Sequence, residues 1–226
     1  TSRGSLVRSQ HHPPLSLPLS SKRCNLSIGS IAEWLGANLA RAFDLCVPKP
    51  VIARVGQDLV DAMPPEWQMD LKYEYYFATA EVPFAQPPNN SQLDTVPAYI
   101  KTDIAVFDYW IHNEDRTSGN VNLLFEPGES RLNVIDFNNA FDSEFDIAKM
   151  YRGHVFGTRL QTAARDMLLQ KSYQDRMENA LAELEGFIGQ IPEDWIDLAT
   201  PEEGYTEQMK ATLKRFRDTD FWGPLL

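Results

Sequence analysis

Cysteine is almost missing from this chain of 226 residues: Cys24 and Cys46 are the two, with neither a C-x-x-C pair nor a set of paired spacings. That excludes a disulfide scaffold and fits a reducing compartment. Long apolar runs are also missing. None approaches the ~18–20 residues that cross a bilayer, and the basic N-terminus has no apolar h-region of a secretory signal behind it. The sequence therefore predicts a cytoplasmic protein without a membrane anchor. Positive charge is scarce, 21 Lys and Arg against 32 Asp and Glu, for a net charge of −11. Residues 1–30 hold Arg3, Arg8, Lys22 and Arg23 and no carboxylate, which leaves 17 basic against 32 acidic residues in the remainder. An acidic body argues against direct nucleic-acid binding, since phosphate backbones need a basic face. Nucleotides held through a divalent metal remain compatible with it. Glycine-rich phosphate loops are absent too: no G-x-G-x-x-G occurs, and only Gly4 precedes Gly29.

What is present is the material of a folded core. Hydrophobic residues make up 43% and aromatics 11%, against 23% charged, which excludes global disorder. Ser30 followed by Glu33 has the spacing of a capping box, and Ile31, Trp34, Leu35, Leu39 and Phe43 recur at helical spacing, predicting a helix to about Asp44. Val51 to Val55 and Tyr73 to Ala80 read as strands, with Gln57 to Met63 a short turn or helix between them. Residues 83–97, with four prolines, read as a loop. Ala98 to His112 is a second helix carrying Ile100, Ile104, Phe107, Trp110 and Ile111. A polar loop follows, then strands Val121 to Phe125 and Leu132 to Ile135 around the turn Glu126–Ser130. Beyond Asn138 the pattern is helical, over 144–152, 158–168, 171–189 and 205–217. Residues 1–20 are read as irregular or partly disordered.

The chemistry-bearing stretch is 103–142. Asp115 stands five residues before Asn120, and Asp136 follows an apolar strand in Val134-Ile135-Asp136-Phe137-Asn138. A tight hairpin returns the chain to its start, so the loops bearing Asp115 and Asp136 should meet in one cleft. Two carboxylates and a carboxamide are hard oxygen donors suited to Mg²⁺ accompanied by substrate phosphates. The order matches phosphoryl-transfer sites, in which a loop Asp faces the attacking hydroxyl while an Asn and a second Asp hold metal. The plain alternative has Asp115 and Asn120 capping a turn and Asp136 opening a loop.

The run from Asp108 through Asp115-Arg116-Thr117-Ser118-Gly119-Asn120 to Leu124, followed by Val134-Ile135-Asp136-Phe137-Asn138-Asn139-Ala140-Phe141-Asp142, resembles the HipA-like kinase family, in particular its short stand-alone members. Ile31-Ala32-Glu33-Trp34 and the segment Leu39 to Pro48 resemble that family's N-lobe helix and the strand after it. The resemblance implies an α+β, two-lobed protein-kinase-like fold, with a small β-rich N-lobe over residues 1–80. A mainly helical C-lobe over residues 81–226 would carry the catalytic β-hairpin. It implies ATP and Mg²⁺ as cofactors and a protein Ser or Thr hydroxyl as acceptor. By position, Asp115 is the catalytic Asp, Asn120 and Asp136 are the metal ligands, and Glu33 pairs with a phosphate-binding lysine, for which Lys22 is the candidate. Phe77, Ala78 and Glu81 fall at the hinge beside adenine.

The chain departs from that pattern in three ways. Thr117 stands where the family usually has His, the glycine-rich loop is absent, and Pro18 interrupts the strand that should present Lys22. Two other readings therefore stay open: a kinase-like module that binds without turnover, and a small-molecule kinase, although Asn113 stands where those enzymes usually have His. Whether an antitoxin-like partner exists is not fixed by the sequence. Plain roles are expected elsewhere. Glu33 serves equally well as a capping-box carboxylate, His112 as a packing residue, and Trp34, Trp110, Trp195 and Trp222 as core. His154 is isolated and is assigned no role, and His11-His12 lacks the further ligands of a zinc site.

Overall fold

The structure is a computed structural model that describes residues 15–16, 26–68, 71, 73–199 and 205–226. Lys22, Cys24 and most of the basic leader lie outside the described residues. In chain order the elements are β1 (Leu15–Ser16), α1 (Leu26–Ala42), β2 (Pro50–Arg54), α2 (Gln57–Asp61), α3 (Pro65–Gln68), β3 (Tyr75–Ala80), α4 (Asn90–Thr95), α5 (Ala98–Trp110), β4 (Leu123–Glu126) and β5 (Arg131–Val134). Six helices complete the chain: α6 (Ile147–Gly153), α7 (Leu160–Ala164), α8 (Met167–Ala182), α9 (Leu184–Ile188), α10 (Glu193–Ala199) and α11 (Tyr205–Lys214). The architecture is mixed α/β and mainly helical, with an antiparallel sheet in the order β1-β3-β2 and a separate hairpin β4-β5.

The central element is α1. Its apolar residues recur every three or four positions and are buried, with Leu35, Leu39 and Ala40 wholly so, as is Phe43 just past its end. Each such Leu or Phe stabilises the fold by roughly 1.5–3 kcal/mol relative to exposure. The helix α1 packs against β2 and β3 and against α8, α9 and α10. Indole N–H groups tie these layers together: Trp34 Nε1 donates to Phe187 O (2.9 Å), Trp195 Nε1 to Tyr75 O (3.1 Å) and Trp110 Nε1 to Leu213 O (2.8 Å). The expected packing role of these tryptophans is what the structure shows. Cys46 is a free thiol that donates to Asn133 Oδ1 (3.2 Å), and the adjacent carbonyl accepts from Val134 N (2.8 Å), so the chain leaving α1 lies along β5.

Several expectations are corrected. The helix α1 already includes Leu26, so Ser30 lies inside it and Ser30–Glu33 is not a capping box. The proline-rich segment 83–97 contains α4, whose N-cap Asn89 makes a capping box with Gln92. The expected helix over 171–189 starts earlier, where Asp166 caps α8, and breaks at Glu183 before α9. The helix α10, which buries Trp195, was not foreseen. Among the described residues, no helix is long and apolar enough to cross a membrane.

Candidate active site

The helix α5 ends in a way that launches the polar loop. His112 adopts φ 55°, and Asn113 N–H donates back to Asp108 O (2.9 Å), closing the helix terminus through a left-handed residue. The His112 ring stacks on Phe145 at 4.2 Å with an interplanar angle of 1°. Burial, assisted by Arg215, lowers its pKa to about 4, so it packs as a neutral ring at physiological pH.

Beneath the loop is a buried polar cluster centred on Asp108 and Arg116, both 0% exposed. Arg116 Nε donates to Asp108 Oδ2 (2.7 Å), and its Nη1 donates to Ile135 O (3.1 Å) and to Asn122 O. Asn113 Nδ2 donates to Asp108 Oδ1 (3.1 Å). His154 completes the set. Its Nδ1 accepts from Phe156 N (3.0 Å), which leaves the proton on Nε2 to donate to Asp108 Oδ2 (2.9 Å). Burial alone would push the Asp108 carboxyl up, but the Arg116 charge and the His154 hydrogen bond outweigh it and hold the group below its usual range. His154, expected to have no role, is thus a buried partner of this cluster. One guanidinium ties together α5, the residue before β4 and the residue before Asp136.

Above that floor the loop side chains converge. Asp115 Oδ2 accepts from Asn120 Nδ2 (3.0 Å) and from Asn122 Nδ2 (3.3 Å). Both contacts fall on Oδ2, so Oδ1 takes no hydrogen bond from a described residue. The hairpin then delivers Asp136, with Leu123 opposite Val134 and Ile135 N donating to Asn122 O (3.1 Å). Asp136 has φ 63°, a backbone conformation that costs an ordinary residue roughly 1–2 kcal/mol. Its carboxyl is raised, first by burial and then by the nearby negative charge of Asp115. Oδ1 of Asp136 and Oδ1 of Asn138 are both buried and accept no hydrogen bond from an N–H or hydroxyl group among the described residues.

Glu33 reaches this loop from α1. Its Oε2 accepts from Phe137 N (3.0 Å), and the carboxyl shares a hydrogen bond with Asp136. Burial, opposed by the Phe137 amide and reinforced by Asp136, raises the Glu33 pKa to about 8. The proton therefore sits on Glu33 and is donated to the Asp136 carboxylate. The close approach is made possible by Gly36: a Cβ there would stand 2.5 Å from Phe137 Cβ and 2.8 Å from its Cγ.

Asp115, Asn120, Asp136 and Glu33 thus come together. Phe77 and Ala78 lie in the central strand β3, opposite Ile52 and Val51 of β2, while Glu81 is exposed just after that strand. Sequence reasoning missed Asp108, Arg116, Asn122, His154 and Gly36 as parts of the site. Arg116 adjoins Asp115, which was a signal in hand. The burial of Asp108 and His154 depends on contacts 46 residues apart, which no local pattern carries.

A family model described as HipA-like kinase matches residues 22–225. The chain belongs to the HipA-like kinase family. No curated protein matches it. Membership assigns the chain to the kinase-type phosphotransferases and implies ATP, with Mg²⁺ as its usual companion. The residues fit such a group. Two neighbouring carboxylates, Asp115 and the half-buried Asp136, are hard donors, and Mg²⁺ bound with a nucleotide needs only one or two protein carboxylates. Among the described residues no three His, Cys, Asp or Glu side chains form a metal set. A cation here would therefore depend on carboxamide oxygens and on the nucleotide's own phosphates.

Proposed function

We propose that this member of the HipA-like family is an ATP- and Mg²⁺-dependent phosphotransferase of two-lobed, kinase-like organisation that phosphorylates a Ser or Thr hydroxyl of a protein. The observation that carries this reading is the meeting of Asp115 with a half-buried Asp136 whose side-chain partner is the protonated Glu33 carboxyl. Without the Glu33 proton the Asp136 carboxylate would stand unsatisfied at a cost of about 1–3 kcal/mol or more, a cost that a bound cation removes. Asp136 and Asn120 would hold Mg²⁺, which would supply positive charge to neutralise the charge that develops on the phosphates. Asp115, positioned by the amides of Asn120 and Asn122 through Oδ2, keeps Oδ1 for the incoming hydroxyl, orienting it and taking its proton as the oxygen attacks. Arg116 contributes by fixing both loops to one buried anchor, so that the carboxylates keep their spacing without reorganising.

Thermal shift with ATP and MgCl₂ tests the site, and mass spectrometry of added protein substrates tests the transfer. Stabilisation that requires both ATP and Mg²⁺ and that Asp136→Asn abolishes is the expected result; Asn tolerates φ 63°, so the variant removes charge without refolding the loop. The missing glycine-rich loop favours a second reading, a module that binds nucleotide without turnover. It predicts the same stabilisation with no phosphate on any protein. Absence of both stabilisation and transfer overturns the proposal.

A further inference from the structure

Outside the carboxylate cluster, a cavity of about 300 Å³ lies between α4, α5 and the segment after α6. Its apolar surface comes from Leu93, Val155 and Phe156, and its polar surface includes Lys101, Thr158 and Arg159. Lys101 and Arg159 are both partly buried. Among the described residues, neither has a carboxylate within ion-pairing distance. Asp94 also borders the cavity but pairs with neither. In a chain with 32 acidic side chains, this cavity gathers two cations against one carboxylate, Asp94, and neither cation forms an ion pair with it.

The cavity is also joined to the catalytic loop. Val155 N donates to Arg116 O (2.9 Å), Thr117 and His154 form a β-bridge, and Phe156 N donates to the His154 ring. The strand-like strap 154–156 therefore has the candidate catalytic loop on one edge and contributes Val155 and Phe156 to the cavity wall. A ligand group in the cavity would lie a strap's width from the loop that carries Asp115.

We propose that this cavity is a docking subsite for an anionic side chain, a carboxylate or a phosphate, on the peptide segment that presents the acceptor hydroxyl. The inference rests on the phosphotransferase reading and narrows its substrate to acidic or previously phosphorylated polypeptide. Lys101 and Arg159 supply the charge, Thr158 a hydroxyl donor, and Leu93 and Phe156 an apolar wall for the side chain's methylenes.

The test is calorimetric titration of the full chain with three serine-containing peptides that differ at a single flanking residue, Glu, phosphoserine or Gln. Against a net charge of −11, general electrostatics disfavour the two anionic peptides, so a preference for either reports a local site. The expected result is binding of at least one anionic peptide about tenfold tighter than the Gln peptide, the scale of one charge-assisted contact. The double variant K101M/R159M should lose that preference, and the charge-keeping Arg159→Lys should retain most of it. Equal binding of the three peptides, or a preference that survives in K101M/R159M, overturns the proposal. Should the double variant fail to fold, Lys101→Gln and Arg159→Gln separately should each weaken the preference. Thermal shift with ATP and MgCl₂ on the same samples separates the two readings. Nucleotide binding without an anionic preference removes the subsite alone, and an anionic preference with neither nucleotide binding nor transfer removes the kinase reading and leaves an anion site with no acceptor role.

Discussion

At the scale of single residues, two buried carboxyl groups behave in opposite ways because their partners differ. Asp108 is ionised, with Arg116, His154 and Asn113 donating to it. Removing one member of a buried pair leaves the other charge uncompensated, so Asp108→Ala should cost about 3–5 kcal/mol, read by urea denaturation. Asp108→Asn retains the shape and should cost less. Glu33 is the reverse case: no described cation pairs with it, and burial keeps its proton on up to about pH 8. A folded-state pKa above the unfolded value means that the native state binds the extra proton between about pH 4.5 and 8. Stability contributed by this group is thus complete below pH 4.5 and falls as pH rises, by about 1.4 kcal/mol per pH unit at most. Glu33→Gln keeps an acceptor for Phe137 N and a donor for Asp136. In metal-free protein it should raise the melting temperature at pH 8, with the gap closing near pH 4.5. A gap that stays constant over this range would show that the proton is not on Glu33.

At the scale of elements, Gly36 shows packing overriding propensity. Replacing a helix-interior Gly by Ala ordinarily stabilises by about 1 kcal/mol. Here the new methyl would lie 2.5 Å from Phe137 Cβ, an atom held by its own backbone rather than the free end of a flexible chain. Overpacking of that kind typically costs 1–3 kcal/mol, so Gly36→Ala should destabilise on balance. Because Phe137 follows Asp136, the variant should also weaken stabilisation by ATP and MgCl₂ more than a surface substitution of equal stability cost does. The same elements show what was legible in the sequence. The hairpin and its flanking Asp115 and Asp136 loops could be placed because turn chemistry and alternation are local signals. The helix α1 was found from its apolar period, yet Ser30 and Glu33 imitated a start signal inside a helix that already includes Leu26. In α4 the error ran the other way: Asn89 and Gln92 carried a genuine capping signal, and the surrounding prolines masked it. Glu33 was placed near the site, but its bond to Phe137 joins residues 104 apart and depends on a tertiary contact that only Gly36 allows.

For the whole molecule, the governing quantity is the excess of negative charge. Most ion pairs at the surface are open to water, as in Arg54–Glu74, with side chains 72% and 44% exposed, and Lys171–Asp175, with 69% and 60%. Exposed pairs of this kind contribute little net stability. The one fully buried ion pair among the described residues, Arg116–Asp108, is shielded from salt. Repulsion among 32 acidic side chains acts over longer distances, and the Debye length shortens from about 30 Å at 0.01 M salt to about 8 Å at 0.15 M. Added NaCl therefore screens a long-range destabilising term more than it weakens the short-range pairs. Melting curves in EDTA should move upward as NaCl rises from 10 to 150 mM, by about 2–4 °C for each 1 kcal/mol of repulsion relieved in a chain of this length. The stabilisation should be equal in Asp108→Asn, whose site is beyond the reach of the salt. A downward shift would mean that the surface pairs outweigh the net charge, and the acidic body would then be a network of attractions rather than a field of repulsion that bound cations relieve.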